Sequence, residues 1–254
     1  MITPLQATTL GLIGFGQFGR LAASVLAPHY DIVVFDTAPL QGAIEGMRLR
    51  AGSLEQAATC DVVIVAVPVL AMPAVFTAIA QHLKPGTLVV DVGSVKVQPV
   101  QWMLELLPAH VDIVATHPLF GPQSARGGLA GQRLVVCPVR GDRHGCIVDL
   151  AERLGLTVSV TTPEAHDQEM AYVQALTHLI GRSLVNLGIP DETLKTDSYQ
   201  HLLDLCGLVG GDSFELFRAI QTQNPYATDV VRTFVAQAQE LLDQLEPGPS
   251  PPRP

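Results

Sequence analysis

Gly14-Phe15-Gly16-Gln17-Phe18-Gly19 follows directly on the apolar run Leu10–Ile13 and opens the helix-length segment Phe18–Leu26. In that setting each glycine has its own duty. The first makes the tight turn, the second lets the backbone approach a pyrophosphate, and the third lets helix and strand pack closely. The helix N-terminus then turns N–H groups and a partial positive charge toward an anion. The next β-branched run, Ile32–Phe35, ends at Asp36, where a carboxylate can take the hydroxyls of an adenosine ribose. Gly14 to Gly19 and Asp36 are therefore the expected cofactor-binding set, with Val67 and Pro68 at the end of the following strand. Asp36 would repel the 2′-phosphate of NADP, and no Arg or Lys occurs from Thr37 to Met47 to neutralise it. The expected cofactor is NAD.

Outward from this turn, short β-branched runs continue to alternate with helical patterns. Strands are expected at Leu10–Ile13, Ile32–Phe35, Val62–Val67, Thr87–Asp91, Ile113–Thr116, Arg133–Cys137 and Thr157–Val160, and a second early helix at Ala74–Leu83. Runs this apolar are buried on both faces, which predicts an α/β, doubly wound parallel sheet of the Rossmann type. Val62 to Ala80 carries no charge and imitates a membrane span, but Pro68 and Pro73 interrupt it, so it reads as a strand and a crossover helix. After Val160 strand signals end. Thr162 caps a helix with Pro163 in its first turn, and further helices are expected at Ser198–Leu208, Ser213–Gln221 and Tyr226–Leu245. The expected domains are a dinucleotide-binding domain over 1–158, an all-helical domain over 159–246 and a disordered tail over 247–254, rich in proline. The apolar helices of the second half are hard to bury in about 90 residues, which predicts a homodimer through them.

Of the chain's 254 residues 48% are apolar, and 15 basic against 24 acidic residues give a net charge of −9, which argues against a nucleic-acid partner. Any anionic substrate must then meet locally placed cations. Cys60, Cys137, Cys146 and Cys206 show no paired spacing, and Met1 to Thr9 lacks the basic start of a signal peptide, so a cytoplasmic protein with reduced thiols is expected.

Loops leaving the carboxyl ends of strands line the ligand crevice of an open parallel sheet. Asp91-Val92-Gly93-Ser94-Val95-Lys96 and Thr116-His117-Pro118-Leu119-Phe120-Gly121-Pro122 are two such segments. His117 has the pKa range of a base for alcohol oxidation. Ser94 could orient it, bind substrate, or cap the next helix. In His166-Asp167-Gln168-Glu169-Met170-Ala171-Tyr172-Val173-Gln174-Ala175-Leu176-Thr177-His178, α-helical spacing puts Asp167, Met170, Ala171, Gln174 and His178 on one face. A metal site is not expected, because on a helix His166 and His178 would point about 120° apart.

Together, the glycine turn, Gly93-Ser94-Val95-Lys96, Thr116–Pro122 and His166–His178 resemble the prephenate/arogenate dehydrogenases of tyrosine biosynthesis, over about residues 9–235. Leu202–Phe217 resembles the plant-type members and the His-Asp segment the bacterial ones. The resemblance implies an oxidative decarboxylation in which His117 activates the ring hydroxyl with Ser94 beside it. It also implies that His178, Gln174 and His166 line a substrate pocket next to a helical dimerisation domain. The family holds a substrate carboxylate with an arginine, for which Arg218 is the matching residue and Arg126 the competitor. Prephenate is the expected substrate and arogenate the alternative. Two other readings share the fold plan: a non-catalytic NAD-binding regulatory protein, and a hydroxyacid-type dehydrogenase or imine reductase.

Overall fold

The computed structural model describes residues 9–40 and 49–245. The expected tail over 247–254, the reading of the first eight residues and part of the Thr37–Met47 window fall outside them. The chain divides into two compact units, Met1–Asp167 and Gln168–Pro254.

In the first unit, β1 (Thr9–Ile13), β2 (Asp31–Phe35), β3 (Leu49–Ala51), β4 (Val62–Val65), β5 (Leu88–Asp91), β6 (Asp112–Pro118), β7 (Arg133–Arg140) and β8 (Thr157–Val160) form one sheet. Their order is β3-β2-β1-β4-β5-β6-β7-β8. The chain winds outward from β1 in one direction and from β4 in the other, so the order reverses between these two strands. Helices α1 (Gln17–Leu26), α2 (Leu54–Ala58), α3 (Met72–Ala80), α4 (Val97–Leu106), α5 (His144–Arg153) and α6 (Pro163–Met170) complete the description to the edge of this unit. Leu12, Val63, Leu88, Ile113 and Val136 are fully buried in the middle of the sheet. Burying each such side chain contributes about 1.5–3 kcal/mol, which is why these strands lack the alternation of a half-exposed sheet.

Two features depart from the sequence reading. The sheet is parallel from β3 through β6, but β7 runs antiparallel to β6. A parallel return needs a crossover to the opposite edge, usually a helix. Residues 119–132 hold only the short turn Ser124–Gly127, so the chain re-enters from the edge it has just left. Helix α5 then supplies a crossover, and β8 pairs parallel to β7. The second departure is β3, which pairs with β2 at the sheet edge. Its three residues include Arg50, and so short a run shows no periodicity to detect.

The second unit contains the π-helical segment Ala171–Leu176 followed by α7 (Thr177–Leu187), α8 (Asp197–Val209), α9 (Phe214–Gln223) and α10 (Ala227–Leu245). Gly181 lets α7 and α8 approach closely, because a Cβ there would meet Val209 Cγ2 at 2.5 Å. Ala175, Ile220 and Ala227 form a small core with Leu216 packed on it. Many larger apolar side chains stay outside that core, among them Tyr172, Leu187, Leu208, Phe214 and Leu241, each more than 60% exposed.

Candidate functional site

Strand register places the site. Phe35, Ile13, Val65, Asp91 and Ala115 form one row of paired residues across β2, β1, β4, β5 and β6. Two residues further toward the carboxyl edge stand Phe15, Val67, Gly93 and His117. The glycine turn and the histidine therefore share one edge, three strand spacings or about 14 Å apart.

At the turn, Gly14 has φ +99°, and a Cβ on it would meet Ala66 O at 2.4 Å. A Cβ on Gly19 would meet Gly14 O at 2.2 Å, so helix α1 can cross β1 this closely only as glycine. Gly16 is different: a Cβ there would meet nothing within 4 Å. The fold does not require glycine at 16, and the space beside its backbone is open. Helix α1 starts at Gln17 with Gly16 as N-cap, no side-chain cap and no acidic residue in its first turn. Its N-terminal donors are thus left for an anion. Asp36 holds the turn from the far side, accepting from Phe15 N–H at 2.6 Å and Ala38 N–H at 2.7 Å. Phe15, Gly16, Gln17, Arg20, Asp36 and Pro39 line the recess there, and the Arg20 guanidinium sits 5.0 Å from the Phe15 ring centre. Arg20 is a cation that the Thr37–Met47 window did not include. Val67 lies beside Gly14, and Pro68 caps the short turn Val69–Ala71. Phe18 faces Phe120, with ring centres 6.2 Å apart.

His117 lies within β6, not in the loop beyond it, because antiparallel pairing with Val135 carries the strand through Pro118. Its side chain is 5% exposed. The His117 Nδ1 and His166 Nε2 atoms are 2.8 Å apart, and His166 Nδ1 is 2.7 Å from Asp167 Oδ1. The Asp167 carboxylate also accepts from the N–H groups of Lys96 at 2.8 Å and Val97 at 2.9 Å, at the start of α4. Asp167 therefore caps α4 from seventy residues away, the role the sequence reading offered to Ser94. Ser94 Oγ is buried without a hydrogen-bond partner, and no bond joins it to His117 in this structure.

Lys96 anchors the same corner. Its Nζ pairs with Asp91 Oδ2 and donates to Thr116 O, while Thr116 Oγ1 donates to Asp91 O at 2.6 Å. Both members of the ion pair have side chains that are 0% exposed. Removing one partner of such a pair costs about 3–5 kcal/mol, so this clamp fixes the end of β6 against the loop after β5. Burial pushes the nearby Cys137 thiol up to about 12, which keeps it un-ionised and unreactive.

The remaining expected substrate residues belong to the second unit, apart from Arg126. Gln174 lies in the π-helical segment, where the α-helical spacing assumed for a shared face with His178 no longer applies. Its Oε1 is buried without a partner. His178 Nδ1 lies 3.7 Å from Asp212 Oδ2. Burial holds the His178 pKa below its ordinary value, although the Asp212 charge pulls it upward, and burial likewise raises Asp212. Arg218 on α9 and Arg126 in the Ser124–Gly127 turn are both exposed. Arg182, not singled out from the sequence, is half-buried, donates to Asp212 O at 2.9 Å and lies 5.6 Å from the Phe217 ring centre. One helical turn from His178, it was findable by spacing alone. Among the described residues no cluster of His, Cys, Asp and Glu could hold a metal, and no helix is long and apolar enough to cross a membrane.

A glycine turn at the point where a parallel sheet reverses its strand order defines a dinucleotide-binding fold of the Rossmann type. Residues 39–160 match the nucleotide-binding domain of prephenate dehydrogenase, and residues 162–250 match its dimerization domain. Arogenate dehydrogenase 2, chloroplastic, of Arabidopsis thaliana is 32% identical over 94% of this chain and 72% of its own length. A probable arogenate/prephenate dehydrogenase of Methanocaldococcus jannaschii is 30% identical over 78% of this chain, which spans 46% of that protein. Against arogenate dehydrogenase 1 of the same plant the chain spans 39% of the relative's length. The crystal structure of prephenate dehydrogenase from Aquifex aeolicus superposes with a TM-score of 0.75 at 20% identity, covering 94% of this chain and 92% of that one. The chain belongs to the prephenate dehydrogenase family, whose members are oxidoreductases.

Proposed function

We propose that the protein catalyses the NAD-dependent oxidative decarboxylation of prephenate to 4-hydroxyphenylpyruvate, with His117 as the base. What supports this reading is that the glycine turn follows the carboxyl end of β1 while His117 stands near the carboxyl end of β6 in the same sheet. Bound at the turn, NAD supplies the hydride acceptor. The ring hydroxyl gives its proton to His117, hydride leaves the same carbon, the ring carboxylate departs as CO2 while the ring becomes aromatic, and the proton returns from His117 to the ring oxygen. Arogenate, which differs in carrying an amino acid side chain, is the second reading; the names of the Arabidopsis relatives favour it. Absorbance of NADH with each substrate in turn tests both readings. Turnover of neither, with NAD bound, would leave only a nucleotide-binding protein.

The choice of NAD rests on Asp36, whose carboxylate two backbone N–H groups hold in the recess. Asp36→Ser should lower the NAD:NADP ratio of kcat/KM by roughly tenfold or more. A unit charge beside a phosphate is worth more than the ~1.4 kcal/mol that a factor of ten represents. An unchanged ratio would remove Asp36 from cofactor choice and turn attention to Arg20.

We assign the substrate carboxylate to Arg218, since a guanidinium binds a carboxylate through two parallel bonds and stays charged when desolvated. Arg218→Ala should raise KM roughly tenfold or more while cofactor affinity holds, as loss of uniform binding requires. If KM does not move, the role passes to Arg126 or Arg182. Ser94, Gln174 and His178 complete the proposed substrate set; the unpartnered Ser94 Oγ and Gln174 Oε1 suit a polar ligand.

The exposed apolar side chains of the helical unit support a homodimer formed through it, as does the match to a dimerization domain. Light scattering at micromolar concentration should give twice 27.1 kDa; a mass of one chain would contradict this. We place the enzyme in the cytoplasm on the spacing of its cysteines.

A further inference from the structure

We infer that His166 and Asp167 are positioning residues that fix the tautomer of His117, so that its basic lone pair sits on Nε2. This rests on the reading of His117 as the base and extends it to two residues which that reading leaves without a role. The bonding runs in one direction. Backbone N–H groups can only donate, and Lys96 and Val97 both donate to the Asp167 carboxylate, which in its ionised form only accepts. The His166 Nδ1 atom, 2.7 Å from Asp167 Oδ1, must therefore carry a hydrogen. In a neutral imidazole the other nitrogen is then an acceptor, so His166 Nε2 accepts. The atom opposite it, at 2.8 Å, is His117 Nδ1, which must donate. That leaves the lone pair of neutral His117 on Nε2.

Burial and ring geometry support the same assignment. His117, His166 and Asp167 are 5%, 2% and 0% exposed, so water cannot easily replace a lost partner. The two rings cross at 71° with centres 5.1 Å apart, an edge-on arrangement that directs the nitrogens at each other rather than stacking the faces. When His117 takes a proton at Nε2, its Nδ1–H bond to His166 is kept, and the new positive charge lies two residues along from a buried carboxylate. An oriented base with a fixed tautomer avoids the cost of turning the ring during the reaction. The sequence places His166 and Asp167 at consecutive positions in α6, and Asp167 ties that helix to the start of α4, so the base, its orienter and the Ser94 loop share one frame.

The experiment compares His166→Ala, His166→Gln and Asp167→Asn with wild type and His117→Asn in the holoenzyme. His166→Ala should lower kcat about ten- to hundredfold, part of the 10²–10⁴ that a positioned base contributes, with KM and the NAD dissociation constant within about twofold. His166→Gln, whose amide oxygen can still accept from His117 Nδ1–H, should recover most of the loss. Imidazole nitrogen NMR of the wild-type protein should show hydrogen on Nδ1 of both His117 and His166. Asp167→Asn should change that pattern at His166 even if its melting temperature falls. Hydrogen found on Nε2 of His117 overturns the inference, as does His166→Ala with wild-type kcat. So does equal loss in the Ala and Gln variants with a matching fall in Tm, which would mark His166 as packing only. If instead His117→Asn leaves kcat intact, the base itself is misassigned, a separate failure.

Discussion

His117→Asn is expected to retain NAD binding and to lose about 10²–10⁴ of kcat. The substitution keeps nearly the same shape, and the new amide can still donate to His166 Nε2, so the buried bond at 2.8 Å has a replacement. What it cannot do is accept a proton from the ring hydroxyl at neutral pH. Since the hydroxyl proton must leave as the hydride does, only the reaction step is affected. KM and the NAD dissociation constant, read by titration, should stay within a few-fold. A variant that turns over at the wild-type rate would strip His117 of its role and with it the oxidoreductase mechanism proposed for this site. Loss of NAD binding in parallel with kcat would mean instead that the ring supports the turn structurally.

The second large effect belongs to Gly16→Val. A Cβ at this position would meet no protein atom within 4 Å, so the folded chain should tolerate the change at little more than the cost of a poorer N-cap, about 1 kcal/mol or less. The same branched side chain would stand where a pyrophosphate approaches the start of α1. The NAD dissociation constant should therefore rise roughly tenfold or more, at least ~1.4 kcal/mol, with Tm nearly unchanged. Gly19→Ala supplies the contrast. Its Cβ would meet Gly14 O at 2.2 Å, so Tm should fall whether or not NAD is present. An unimpaired Gly16→Val enzyme would mean that the cofactor does not lie against this turn.

How far the sequence could be read depended on whether a feature was local. The glycine turn, the buried runs around Leu12, Val63 and Ile113, and the helices expected at Ser198–Leu208 and Ser213–Gln221 depend on near neighbours, and they stand within a residue or two of expectation. The direction of β7 was not local. Its apolar run is the same forwards or backwards, and only the missing crossover in 119–132 determines which way it points. The π-helical segment escaped for a related reason: nothing in Ala171–Leu176 marks one extra residue per turn, while the assumption of regular α-helical spacing set the expected faces. At the site, Ser94 was visible as a residue following a strand, whereas His117, expected in the loop after one, stands inside β6 because antiparallel pairing with β7 extends that strand. The bond from His117 to His166 crosses 49 positions, and that from Asp167 to Lys96 crosses 71. Pairings of that reach are made by tertiary folding, so the sequence offered His166 as a pocket residue and Asp167 as part of a helix face.

The most direct measurement is a structure of the enzyme with NAD and an unreactive substrate analogue bearing the ring hydroxyl. His117 Nε2 should lie about 2.6–3.2 Å from that hydroxyl oxygen, with the nicotinamide against the same carbon. An analogue seated in the site with its hydroxyl turned toward another side chain, and His117 Nε2 out of hydrogen-bond reach, would contradict the assignment.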